Sequence, residues 1–298
     1  MQLITTMKHL FSSLLLLSIF SCTTTPTEKT TNNKTTEVDK DSVAATANPD
    51  KADAPTIMAK KQVPVICYHD IRSLRPNEGE HLLEYIVPEQ NFKAQMKMLS
   101  DSGYQTISPN QYYNYLATGA PLPAKPIMIT FDDTDLEQYT VGAVEMEKYG
   151  FKGVFFIMTI SIGRPRYMSK EQIKDLADKG HTIAAHTWDH HRVDKYKYEN
   201  TIEERGVKKV VNDWDQQALK TKLKLEEITG KPVEHFAYPF GIWNNKAFPE
   251  LEKRGYKSAY QLSDKRDSIA PLYTLRRMIV PGTWDVAKMD KWMKINFK

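Results

Sequence analysis

Between residues 63 and 280 the chain alternates short, nearly continuous apolar runs with longer stretches whose apolar residues recur at helical spacing. A short apolar run bounded by Gly, Pro or charge predicts a strand buried on both faces. Regular alternation with amphipathic helices predicts a parallel sheet or barrel. The predicted strands are residues 63–68, 105–107, 127–131, 153–158, 182–185, 235–237, 258–259 and 278–280. The predicted helices are 88–102, 135–148, 169–179 and 213–229, the last stopped by Gly230 and Pro232. Residues 192–206 are charged and aperiodic and read as an insertion loop outside the barrel. No internal repeat is present.

Before residue 62 the pattern is different. Lys8 and His9 precede an apolar run from Leu10 to Phe20, then Ser21 and Cys22, the layout of a secretory signal and too short to span a bilayer. Ser21 directly before Cys22 resembles the lipobox of bacterial lipoproteins, although Phe20 stands where a small residue is usual. That resemblance implies acylation of Cys22 and a protein exported to the bacterial cell envelope, with the membrane as partner through the lipid; an ordinary signal peptide is the alternative. Residues 23–61 hold almost no large apolar side chain and read as a disordered tether, leaving 62–298 as the folded domain.

Composition narrows the functional classes. The chain of 298 residues carries 41 Lys and Arg against 37 Asp and Glu, with no dense basic block, which gives no footprint for nucleic acid. Two cysteines in dissimilar contexts exclude a disulfide framework. Nothing in the pattern calls for an obligate protein partner.

In parallel α/β folds chemistry gathers at the C-terminal ends of strands. The strand at 127–131 ends in Asp132 and Asp133; adjacent carboxylates divide their roles readily when a cation holds one and the other serves as a base, although an acid at this place also caps a helix. The strand at 182–185 ends in His186, with His190 and His191 following. Two histidines and one aspartate on a divalent metal leave positions open for water and substrate. A third strand end runs through Tyr238, Pro239, Phe240 and Gly241, a rigid turn able to aim a backbone N–H at an oxyanion.

Thr-Phe-Asp-Asp at 130–133, His-Thr-x-x-His at 186–190 and Tyr-Pro-Phe-Gly at 238–241, in this order, resemble the polysaccharide deacetylases of carbohydrate esterase family 4, the NodB-homology domain. The flanks 148–157 and 180–186 are similar as well. The resemblance implies an α/β fold, a distorted (β/α) barrel of about seven strands. It implies Asp133, His186 and His190 as metal ligands, His190 preferred to His191, for Zn2+ or another divalent ion such as Co2+ or Ni2+. Asp132 would be the general base and the Tyr238 backbone N–H an oxyanion donor. Pro239, Trp188 and Trp243 would contact an acetylated polysaccharide substrate.

Three departures stand out. The third motif of the family usually opens with an Arg that pairs with the base, and Ala237 occupies that place. The last motif usually supplies a His to protonate the leaving amine, and residues 275–280 contain none, so His69, at the end of the first strand, becomes the candidate acid. Thr134 replaces the usual Gly after the acid pair. The Ala form, together with residues 64–70, is similar to the subgroup acting on poly-β-1,6-N-acetylglucosamine. The expected activity is therefore removal of N-acetyl groups from a surface or exported N-acetylglucosamine polymer. An O-acetyl esterase with the same site and a glycan-binding protein with decayed catalysis are the alternatives.

Overall fold

A computed structural model describes residues 51–297. The signal segment, Cys22 and the tether up to residue 50 lie outside the described residues. Eight parallel strands form the core: β1 (Val65–Tyr68), β2 (Pro126–Phe131), β3 (Gly153–Ile157), β4 (Thr182–Ala185), β5 (His235–Ala237), β6 (Ser258–Gln261), β7 (Leu275–Arg276) and β8 (Met278–Ile279). Their spatial order is β7-β6-β5-β4-β3-β2-β1-β8. The first and last of these are two halves of one segment, separated by Arg277. Leu275 pairs with Tyr260 of β6, and Met278 pairs with Ile66 of β1. A single stretch of chain therefore draws the two edges of the sheet together, and helices surround the nearly closed barrel. Gln105–Thr106 adds a short strand beside the start of β2.

Strand side chains alternate between two environments. Val65, Met128, Val154, Phe156, Ala184, Ala237, Tyr260 and Leu275 belong to the interior cluster. Their neighbours Ile66, Tyr68, Ile129, Phe131, Phe155, Ile183 and Phe236 pack with the helices. Carried past the strand ends, the same alternation sends Asp132, His186 and Arg277 inward, where all three are buried. The site is thus an extension of the barrel's inner face.

The expected helices form at Glu89–Asp101 and Lys170–Asp178. Those expected at 135–148 and 213–229 both contain a π-helical stretch, Gln138–Ala143 leading into Val144–Glu147 and Trp214–Leu219 leading into Lys220–Thr229. Further α-helices form at Pro109–Thr118, Ala247–Lys253 and Val286–Asn296. Pro109–Thr118 begins at a capping box made by Ser108 and Gln111, and Val286–Asn296 is capped by Asp285. The predicted insertion loop stays outside the barrel but carries an antiparallel hairpin, Asn200–Glu204 with Val207–Val211.

The tether ends earlier than expected. Within residues 51–61, Ala54–Ala59 is a helix capped by the Asp53 side chain. Ile57 is 2% exposed, the Ala52 N–H donates to Ala117 at 2.7 Å, and Arg266 donates to the Met58 carbonyl at 3.0 Å. One buried isoleucine is enough to dock a short helix when an apolar recess and a guanidinium meet it. Ile57→Ala is expected to lower the unfolding free energy by about 2 kcal/mol or more, read from urea denaturation of the full chain. An unchanged midpoint would mean that the helix is not part of the folded unit.

Candidate active site

Asp133, His186 and His190 converge at the C-terminal ends of β2 and β4. Asp133 Oδ1 lies 3.3 Å from His186 Nε2 and 3.4 Å from His190 Nε2. That oxygen is buried and has no hydrogen-bond partner. His186 Nδ1 sits 2.9 Å from the Ala237 carbonyl, which can only accept, so Nδ1 carries a proton and Nε2 is the nitrogen turned toward Asp133. Three donor atoms about one metal at ligand distances of 2.0–2.2 Å would be spaced about 3.4 Å apart in a tetrahedral set. The observed spacing fits that arrangement, and two imidazole nitrogens with one carboxylate oxygen suit a divalent cation with open positions. His191 does not compete for this place: it is exposed and its ring stacks on Tyr196.

The electrostatics follow from proximity. Burial pushes the Asp133 carboxyl up, but His186, His69 and His190 outweigh it and hold it well below the ordinary carboxylate range. For His186, burial disfavours the charged ring while Asp132 and Asp133 more than offset it, so its pKa is raised. Burial and the nearby His186 lower that of His190. Asp135 is pushed up to about 8 by burial and by Asp70 and Asp133, so near neutral pH it does not add a second full negative charge behind Asp133.

Asp132 was expected to lack an orienting cation because Ala237 replaces the usual Arg. The structure supplies one from elsewhere. Arg277 Nη1 donates to Asp132 Oδ1 at 2.6 Å and Nη2 to Oδ2 at 2.7 Å, a bidentate pair with both partners buried. The guanidinium also reaches Thr130 Oγ1 at 3.4 Å and lies over the Phe156 ring. Burial would raise the Asp132 pKa, but Arg277 and His186 hold it low. Sequence reasoning noted residues 275–280 for the histidine they lack and passed over Arg277. A charged residue interrupting an apolar strand, in inward register, was the available signal.

The turn after β5 corrects a second expectation. The Tyr238 N–H is already committed to the Tyr260 carbonyl at 3.0 Å, and its side chain is buried with its hydroxyl on the Tyr273 carbonyl. Tyr238 therefore cannot donate to an oxyanion. Pro239 has no N–H, Gly241 donates to Tyr238 and Ile242 to Pro239. The Phe240 N–H is the donor left over in this turn. Phe240 has φ 58°, is 58% exposed, and its ring centroid lies 4.4 Å from that of His190. Gly241 permits the turn, since a Cβ there would meet the Leu262 nitrogen at 2.6 Å.

The remaining predicted residues divide. His69 lies at the site: a ring nitrogen of His69, the Asp132 carboxylate and Cys67 Sγ are all within 4.8 Å of one another, and its buried Nδ1 has no partner. Its ring meets the edge of Tyr85. Trp188 is half-buried in the loop between the two histidines. Trp243 is held away from a purely sugar-facing role because its indole N–H donates to Gln261 at 2.7 Å and its ring packs on Phe248. Pro239 is buried, so the exposed face of this turn is Phe240 instead. Thr134 adopts φ 77°, as a Gly would, and is held there by the Met158 N–H donating to its hydroxyl at 2.8 Å.

The polysaccharide deacetylase family profile matches residues 119–259. The relative YxkH of Bacillus subtilis (strain 168) is 29% identical over 196 residues, 66% of this chain and 63% of its own length. A poly-beta-1,6-N-acetyl-D-glucosamine N-deacetylase of Staphylococcus aureus (strain MRSA252) is 23% identical over 195 residues, covering 63% of this chain and 65% of that protein. The match thus spans a little under two thirds of these relatives. In fold, the chain is similar to the Streptococcus pyogenes deacetylase PplD, solved in complex with acetate (TM-score 0.68, 19% identity, 80% of this chain and 98% of that one). It is also similar to IcaB from Ammonifex degensii (TM-score 0.61, 23% identity, 79% and 98%). Residues 119–259 are thus similar to polysaccharide deacetylases, and the fold is the NodB-like barrel of the solved deacetylases.

Breaking a buried ion pair leaves one charge uncompensated, so Arg277→Gln is expected to cost about 3–5 kcal/mol of stability. The pH dependence follows. With the Asp132 pKa held below its ordinary 3.8, the pair's contribution is complete above that value and is lost as pH falls through the lowered folded-state pKa. Without the guanidinium the folded-state pKa rises, and acid destabilisation moves to higher pH. Urea unfolding against pH, without added metal, checks both. Identical profiles for the variant and the wild type would refute the role given to the pair.

Proposed function

We propose that this chain is a metal-dependent deacetylase that hydrolyses N-acetyl groups of an N-acetylglucosamine polymer, exported and held to the cell envelope by a lipid on Cys22. The single observation that carries the chemistry is the open Asp133–His186–His190 donor set beside a carboxylate, Asp132, fixed by Arg277. The named activity of the Staphylococcus aureus relative supports the substrate class. Bound to that set, a divalent cation, Zn2+ first and Co2+ or Ni2+ as alternatives, would act as a Lewis acid toward the acetyl carbonyl and acidify water.

The protein groups do the rest. Asp132 stays ionised near neutral pH and is oriented at both oxygens, so it takes a proton from attacking water without moving. The Phe240 N–H is the protein donor for the charge that develops on the acetyl oxygen. His69, facing Asp132 across the inner mouth of the barrel, supplies the proton that the leaving amine needs. Phe240 and Trp188 offer apolar faces to sugar rings. An ester substrate would use the same groups. The reading as a silent glycan binder drew on the missing Arg and the missing acid His, and Arg277 meets the first of these needs from another strand.

Acetate release from β-1,6- and β-1,4-linked N-acetylglucosamine oligomers and from acetylated xylan tests the reading. Release from the amide substrates is expected, abolished by a chelator and restored by Zn2+. Asp132→Asn is expected to retain the metal and lose at least 100-fold in turnover, in line with a general base worth about 10²–10⁴, whereas His186→Ala loses both. Release from xylan alone would make the protein an esterase. Metal retention by His186→Ala would overturn the ligand assignment, and unchanged membrane partition of Cys22→Ser would overturn the anchor.

A further inference from the structure

Helices with an extra residue in one turn are uncommon and concentrate at functional sites. Here two helices carry such a turn, and each places a buried glutamine against a loop that bears site residues. Gln217, in Trp214–Leu219, is 3% exposed. Its Oε1 accepts from the backbone N–H of Trp188 at 3.1 Å and of Asp189 at 3.4 Å, and its Nε2 donates to Asp189 Oδ1 at 2.8 Å. Gln138, in Gln138–Ala143, is fully buried. Its Nε2 donates to the carbonyl of His69 at 3.2 Å and to the carbonyl of Asp132.

The loop held by Gln217 runs from His186 to His190 and is strained, with Thr187 at φ 67° and His190 at φ 64°. A backbone bent in this way persists only when its surroundings over-determine it. Gln217 supplies that constraint, because it accepts from two successive N–H groups of the loop, and it is itself anchored by Asp189. The loop ends held by Gln138 belong to β1 and β2. Their carbonyls are tied to one amide, which sets the reach of His69 relative to Asp132.

We propose that Gln217 and Gln138 are positioning residues, Gln217 for the presentation of the two imidazoles to a divalent metal and Gln138 for the facing of Asp132 and His69. The roles rest on the metal-dependent hydrolase reading. A glutamine serving only as packing would lower stability and leave the metal affinity of the folded protein unchanged.

The test uses the full chain, freed of metal and titrated with Zn2+ by calorimetry at a temperature where circular dichroism shows each variant folded. Gln217→Ala is expected to weaken Zn2+ binding about 10–100-fold, the usual effect of losing a group that orients a metal ligand. Asp189→Ala, at an exposed position, is expected to weaken it in the same direction by less, and serves if Gln217→Ala does not fold. Gln217→Glu alone is expected to weaken binding, whereas Gln217→Glu with Asp189→Asn exchanges donor and acceptor and restores it to within a few-fold of wild type. For Gln138→Ala the expected result is a lower kcat for acetate release with KM unchanged. Wild-type affinity in Gln217→Ala and Asp189→Ala, absence of rescue in the double variant, or an unchanged kcat in Gln138→Ala would each overturn the corresponding role. A wild-type protein that takes up no Zn2+ would instead remove the proposed function first.

Discussion

Everything at the site depends on one buried ion pair, Arg277 with Asp132. A paired charge of this kind adds little net stability, because desolvation consumes most of the attraction. What it fixes is geometry. Arg277 lies between β7 and β8, at the point where one segment leaves β6 and joins β1. Its guanidinium spans the interior to both oxygens of Asp132 at the end of β2. A slip of one residue in that segment would turn the Arg277 guanidinium outward and break its two bonds to Asp132. Barrel closure and the ionised state of Asp132 are therefore maintained by the same contact.

Above that pair the mouth of the barrel is strained. Asp133, Thr134, Thr187, His190 and Phe240 all have positive φ without being glycine. Each such residue costs free energy of order 1–3 kcal/mol and needs a reason to persist. The reasons are local hydrogen bonds: Thr187 Oγ1 accepts from the His190 N–H, Thr134 Oγ1 from the Met158 N–H, and Gln217 from Trp188 and Asp189. The bends turn side chains that would alternate in and out along a strand so that Asp133, His186 and His190 share one small volume. The same strain leaves the Phe240 N–H without a backbone partner.

The departures noted in the motifs become intelligible in this frame. Ala237 is fully buried and its carbonyl orients His186. The orienting cation arrives instead from the closing segment. Thr134 substitutes for Gly by exchanging conformational ease for a hydrogen bond to β3. Distant positions can trade a charge in this way because the barrel brings all strand ends to one mouth, so what matters is the inner register and not the motif that carries the residue.

The sequence by itself marked seven of the eight barrel strands, because fully buried parallel strands need continuous apolar runs, and it marked Asp132, Asp133, His186 and His190, because polar residues just past such runs fall at strand ends. It could not show Arg277 as the partner of Asp132, since the pair joins residues far apart in the chain through a barrel closure that no local pattern encodes. Nor could it show that the Tyr238 N–H is spent and the Phe240 N–H is not, because that depends on which backbone groups the neighbouring strand takes. Gln138 and Gln217 were equally hidden, for a glutamine in a helical stretch reads as solvated surface. Only the tertiary structure decided those contacts, since each is set by which group stands across a gap in space.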